Sequence, residues 1–121
     1  MASPTRPPSP TDFTLHVEGV GSFVFGYRKM PDELKIAAEF SRICEGVDKP
    51  NEFLQLVGNW IATLRVLTVR GPEGWDLDEL DPLSDEDYAK LAKVYSALRA
   101  KEDSFRSGKK QAGEGKGEAV G

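Results

Sequence analysis

From Phe13 the chain alternates: Phe13, Leu15 and Val17 fall on one side, and Thr14, His16 and Glu18 on the other. That is the period of a strand with one buried face. Gly19-Val20-Gly21 interrupts the run, and Phe23, Phe25 and Tyr27 then alternate again. The pattern predicts strands over about 13–18 and 22–28, paired as an antiparallel hairpin around a glycine-containing turn. A lone hairpin is marginal in water, so its aromatic face is expected to pack on helices.

The period then changes to that of a helix. Pro31 followed by Asp32 and Glu33 reads as a helix start, with proline in the first turn and carboxylates at the positive end of the dipole. Ile36, Phe40, Ile43 and Cys44 recur at helical spacing, and Gly46 supplies a stop, giving a first helix over about 31–45. A second, over about 50–68, carries the strongest stripe: Phe53, Leu56, Val57, Trp60, Ile61, Leu64 and Leu67. Leu54, Ala62 and Val66 add apolar surface on its other side, which predicts a central helix. Its end is ambiguous, because Val66, Thr68 and Val69 are β-branched, and Gly71-Pro72 closes it. A third helix, over about 84–105, is announced by Ser84-Asp85-Glu86-Asp87, with Ser84 as cap, Asp87 as reciprocal partner, and Leu83 and Tyr88 placed as a hydrophobic staple. Tyr88, Leu91, Ala92, Tyr95 and Leu98 form its stripe, extended by Phe105.

The ends lack such patterns. Residues 1–11 hold Pro4, Pro7, Pro8 and Pro10 among Ser and Thr, and residues 107–121 are mostly Gly, Lys and Glu. Neither can bury enough apolar surface to offset its ordering entropy, so both are expected to be disordered tails around one domain at 12–106. The expected fold class is α+β, an N-terminal hairpin packed on a three-helix core. No internal repeat is evident.

Charge narrows the function. With a net charge of −4, the chain lacks the clustered cations that a nucleic-acid binder needs. Between Gly71 and Tyr88 it carries Glu73, Asp76, Asp78, Glu79, Asp81, Asp85, Glu86 and Asp87 with no Lys or Arg, an acidic belt. The segment after Ser104 is mildly basic. No stretch is long and apolar enough for a membrane span, and Met1–Thr11 has no apolar core of a signal peptide, so a cytoplasmic location is expected. Cys44, the one cysteine, cannot form an internal disulfide and reads as a buried thiol.

Little of the sequence suits catalysis. His16 lies on the polar side of its strand and reads as a surface histidine, far from any obvious nucleophile. Gly19-Val20-Gly21-Ser22-Phe23 with Gly26 has the look of a phosphate-covering loop, but no nucleotide fold fits so short a chain, and a hairpin turn explains it. Asp76-Leu77-Asp78 begins like a calcium loop, then fails at Leu80 and Asp81, where a ligand and a glycine are needed. No catalytic residue, metal site or cofactor is expected. Trp60 reads as core. Trp75, in the acidic linker, either folds back onto the domain or serves as an exposed anchor for a partner. Trp75, Leu77 and Leu80 are the candidate partner-binding residues, as large apolar side chains in a polar linker.

Two stretches carry a resemblance. One runs Phe23-Val24-Phe25-Gly26-Tyr27-Arg28-Lys29-Met30-Pro31-Asp32-Glu33 and on through Glu45-Gly46. The other runs Trp60-Ile61-Ala62-Thr63-Leu64-Arg65-Val66-Leu67-Thr68-Val69, then Pro72-Glu73-Gly74-Trp75-Asp76-Leu77, and through Pro82 into the Tyr88 helix. Over about residues 13–106 the chain resembles the small tail assembly chaperones of long-tailed bacteriophages and prophages. The resemblance implies a non-enzymatic cytoplasmic chaperone that binds the tape measure protein, helps recruit tail tube protein, and is absent from the mature virion. In that family the reading frame often slips near the gene's end, and Gly108-Lys109 and Gly115-Lys116 are dipeptides that a slippery run would encode. A homo-oligomer is compatible with this role. The rival readings are a structural phage component, such as a head-tail connector or minor tail protein, and an acidic adaptor that binds a host protein.

Overall fold

In a computed structural model, the described residues are 6–114 for the backbone and 6–106 for side chains. Phe13–Val17 forms β1 and Gly21–Phe25 forms β2. They pair antiparallel with Phe13 opposite Phe25, Leu15 opposite Phe23 and Val17 opposite Gly21, so Phe13, Leu15, Val17, Phe23 and Phe25 lie on one face. Val20 N–H donates to the Val17 carbonyl at 2.9 Å to close the turn, and Gly19 and Gly21 have φ of +82° and +141°. Tyr27, expected to lie in the second strand, falls two residues past its end.

Met30–Ile43 forms α1. Pro31 stands in its first turn, and the Asp32 carboxylate accepts the Lys29 N–H at 2.9 Å, which satisfies one of the helix's orphan donors. Glu52–Leu67 forms α2, capped by the Asn51 side chain, which accepts from Leu54 N–H at 2.8 Å. Glu39 of α1 pairs with Arg65 near the end of α2, while Phe40 and Ile43 lie against Gly58 near its middle, so the two helices run antiparallel. A Cβ on Gly58 would come within 3.1 Å of the Phe40 ring, and the absence of one sets the close approach of the helices.

The end of α2 departs from expectation. Thr68–Arg70 leaves the helix as a third strand, β3, which pairs antiparallel with β2 through Phe25–Thr68 and Val24–Arg70 with an irregularity between them. The sheet order is β1-β2-β3. Of the β-branched residues that blurred the predicted helix end, Thr68 and Val69 turn extended, while Val66 stays in the helix.

Asp85–Glu114 forms α3, which runs nine residues past its expected end near 105. Residues 107–114, expected as flexible tail, therefore continue the helical backbone, and Gly108 does not end it. Its start also differs. Ser84 Oγ lies 3.5 Å from the Asp87 N–H, but the Asp87 carboxylate accepts from Asp81 N–H at 2.9 Å, so the reciprocal half of the capping box is not made. Leu83 is 81% exposed, so the staple with Tyr88 is absent too.

The core is continuous across these elements. Val17, Phe23 and Phe25 of the sheet, Ile36 of α1, Val57, Trp60, Ala62, Leu64 and Leu67 of α2, and Leu91, Val94 and Leu98 of α3 form one buried cluster. Phe53 stacks near Tyr88, and Trp60 lies against both Tyr88 and Tyr95, which sets α2 and α3 parallel. Cys44 is buried, as expected of a structural thiol.

The N-terminal arm is partly placed. Residues 1–5 lie outside the described residues, but Arg6 does not behave as a flexible-arm residue: its guanidinium pairs with Asp32 at 2.6 Å and 3.3 Å, and its N–H donates to the Thr68 carbonyl at 3.4 Å. The proline-rich composition of the arm concealed this, because the latch depends on one cation and not on apolar burial.

Candidate interaction surfaces

The acidic linker returns to the body of the protein. Trp75 meets Phe23 edge-on at 5.0 Å and covers Gly71, where a Cβ would lie 2.8 Å from the indole. Leu77 and Leu80 are likewise half-buried and packed on the core. A short 3-10 turn at Leu77–Glu79 is capped by Asp76, whose carboxylate accepts from Asp78 N–H at 3.0 Å. Asp78 also pairs with Arg65 at 2.8 Å. The three proposed contact residues thus share one face of the linker, turned toward the core, with only their edges open to a partner.

Larger apolar exposure lies elsewhere. On α1, Met30 and Leu34 are 70% and 67% exposed and one turn apart, forming a single strip. Met30 borders a cleft of about 250 Å³ between the hairpin end, the start of α1 and the far part of α3, with Phe13, Tyr27 and Phe105 as its aromatic wall. Phe105 stands edge-on to Phe13 at 5.0 Å. The polar wall is Arg28, which forks onto Glu102 with two bonds of 3.1 Å and reaches Glu33 at 3.3 Å. Burial acts most strongly on the Arg28 guanidinium and alone would lower its pKa, but Glu102 and Glu33 together hold it above its ordinary value. This arginine is a fixed structural cation.

A second surface lies along α2. Phe40 of α1, with Pro50, Glu52, Gln55, Leu56 and Asn59, lines a shallow groove between the two helices. Leu56 is 46% exposed, and Phe53, one turn before it, is also exposed. Sequence periodicity assigned both to the core stripe. That stripe is wider than the space beneath α2, so its N-terminal end projects past the body, and only the exposure of each residue distinguishes them.

His16 is exposed, with Nδ1 3.1 Å from Ser22 Oγ, and among the described residues no other polar side chain is bonded to the pair. Among the described residues, no group of three His, Cys, Asp or Glu side chains could hold a metal ion, and no helix is long and apolar enough to cross a membrane. Compared with known proteins, the chain matches no family model, no curated protein and no solved structure.

Proposed function

We propose that this protein is a non-enzymatic tail assembly chaperone of a long-tailed phage or prophage. In this role it binds the tape measure protein in the bacterial cytoplasm, assists tail tube assembly, and is left out of the finished virion. The observation that carries the reading is apolar surface arranged in strips outside a sealed core: Met30 with Leu34 on α1, and Phe53 with Leu56 on α2. Singly exposed apolar residues are ordinary on a protein surface, but pairs at one-turn spacing offer an amphipathic helix a continuous contact. The resemblance over residues 13–106 supplies the phage context, and the acidic surface supplies solubility while apolar strips stand open. Trp75, Leu77 and Leu80 belong to the proposal as a secondary contact through their open edges.

Co-expression with a tape measure protein from the same gene cluster tests this. The large protein becomes soluble and co-purifies with the tagged chain if the reading is right. If it stays insoluble and unbound while this chain is folded, the chaperone role is lost. Recovery of this chain from purified virions would instead favour a structural component of the particle.

A further inference from the structure

The two apolar strips differ in their electrostatic surroundings, and that difference selects a partner. Met30 and Leu34 are bordered by Lys29 and Lys35, with Glu33 engaged by Arg28. Phe53 and Leu56 lie on the opposite kind of ground. Glu52 lines the groove, and Lys49 is the one cation between Val47 and Asn59. Phe53 stacks on Tyr88, one turn into α3, so the entry of α3 lies alongside. That entry brings Asp81, Asp85 and Glu86, all exposed, together with Asp87; no Lys or Arg occurs before Lys90. Leu83, 81% exposed, stands among these carboxylates with its staple unmade.

We propose that the strip formed by Phe53 and Leu56, with the carboxylates at the start of α3, docks an amphipathic helix whose apolar stripe is flanked by Lys or Arg. The form of the occupant follows from the backbone. The strip lies on a helix, where Leu54 N–H is taken by the Asn51 side chain, Gln55 N–H by the Asn51 carbonyl and later N–H groups by the helix's own carbonyls, so an added strand would find no sheet edge there, whereas a helix brings its backbone already satisfied. From Glu52 to Asn59 the groove runs about 10 Å, two turns of helix, which matches anchors at i and i+3 or i+4. The charge of the occupant follows from the rim: carboxylates beside a partly desolvated apolar contact favour cations and repel an acidic helix. This inference rests on the chaperone reading for its biological partner, a helical segment of the tape measure protein, but its chemistry is testable without that partner.

The probes are two designed 18-residue amphipathic helices with identical leucine stripes, one flanked by lysine and one by glutamate, titrated into the full chain by calorimetry at 50 and 300 mM salt. The lysine helix binds at least tenfold more tightly than the glutamate helix, and it weakens severalfold at the higher salt. Leu56→Ser weakens it about tenfold, as does D85N/E86Q, whereas E18Q, which removes an exposed carboxylate on the hairpin turn, leaves it within twofold; circular dichroism confirms that each variant is folded. Equal binding of both helices, indifference to Leu56→Ser, or an equal loss in E18Q overturns the proposal. The co-expression assay separates the two claims. If Leu56→Ser still retains the tape measure protein, this docking site is wrong while the chaperone reading stands. If the wild-type chain fails to retain it, the chaperone reading falls and the peptide titration judges the docking site alone.

Discussion

Asp32 serves three groups at once: both guanidinium nitrogens of Arg6 and the N–H of Lys29 at the start of α1. Burial is the strongest influence on this carboxyl and pushes its pKa upward. The Arg6 hydrogen bond, the Lys29 N–H and the nearby charges of Arg6 and Lys35 outweigh it, so the value lies below the free group's 3.8. The sign of the linkage follows. A carboxyl with a depressed folded-state pKa adds stability that is fully present above 3.8 and is lost as pH falls through the folded value. Arg6→Ala should therefore lower stability by about 1 kcal/mol at pH 7, a modest cost because a partly exposed pair is shielded by water. Urea melts of the wild type and the variant should stay separated at pH 5 and converge on acidification below about pH 3.8. A gap unchanged at pH 2.5 would show that Arg6 acts through packing on Gly26 and not through the carboxylate. Nothing in the sequence around Arg6 announces this pair, since the partners are separated by 26 positions and only the folded chain brings them together.

At the scale of the element, the hairpin was legible because its period of two is interrupted only by glycines that the turn requires. Gly21 is needed on two counts: its φ of +141° disfavours any side chain, and a Cβ there would lie 2.6 Å from Pro72. The first requirement is readable from the turn, while the second appears only when the segment after β3 folds across the hairpin. Gly46 also has positive φ, +87°, but open space around it. Gly46→Ala should cost about 1 kcal/mol, the backbone term alone, and Gly21→Ala about 2–4 kcal/mol, because overpacking against the proline adds to the strain. Equal midpoints for the two variants in chemical denaturation would mean that Pro72 moves aside freely. β3 and the far end of α3 were less legible for different reasons. The three residues of β3 follow α2 without a break, so their strand character comes from pairing with β2 and not from a period of their own. Beyond Phe105 the helix persists without the apolar stripe by which a helix is recognised. The unmade staple at Leu83 belongs here as well, since sequence supplies the right residues for a cap and cannot say that Asp87 turns to Asp81 instead.

Across the whole molecule, the two tryptophans report on different sides of one core. Trp60 lies among the rings of Tyr88 and Tyr95 between α2 and α3, while Trp75 lies edge-on to Phe23 at the sheet. The core stripe was readable because buried residues of α2 and α3 recur at 3.6-residue spacing. The binding surface was not, because Leu56 and Leu64 look alike in a periodic pattern and only the finished packing leaves Leu56 at the rim and Leu64 fully buried. Trp75 shows the same limit: a large apolar side chain in a polar linker reads as an anchor until Phe23 and Gly71 are found beneath it. If the buried cluster is one cooperative unit, its two sides unfold together. Trp75→Phe leaves Trp60 as the reporter of the helical side, and Trp60→Phe leaves Trp75 as the reporter of the linker and sheet. Each variant is less stable than the wild type, so the comparison is made within a variant: the fluorescence midpoint in urea should coincide with the midpoint from far-ultraviolet circular dichroism. A Trp75 signal that is lost at lower urea than the helical signal would mean that the acidic linker detaches before the core opens. The edges of Trp75, Leu77 and Leu80 would then be released for a partner without unfolding the domain, which would raise the linker from secondary to primary contact in the proposed chaperone.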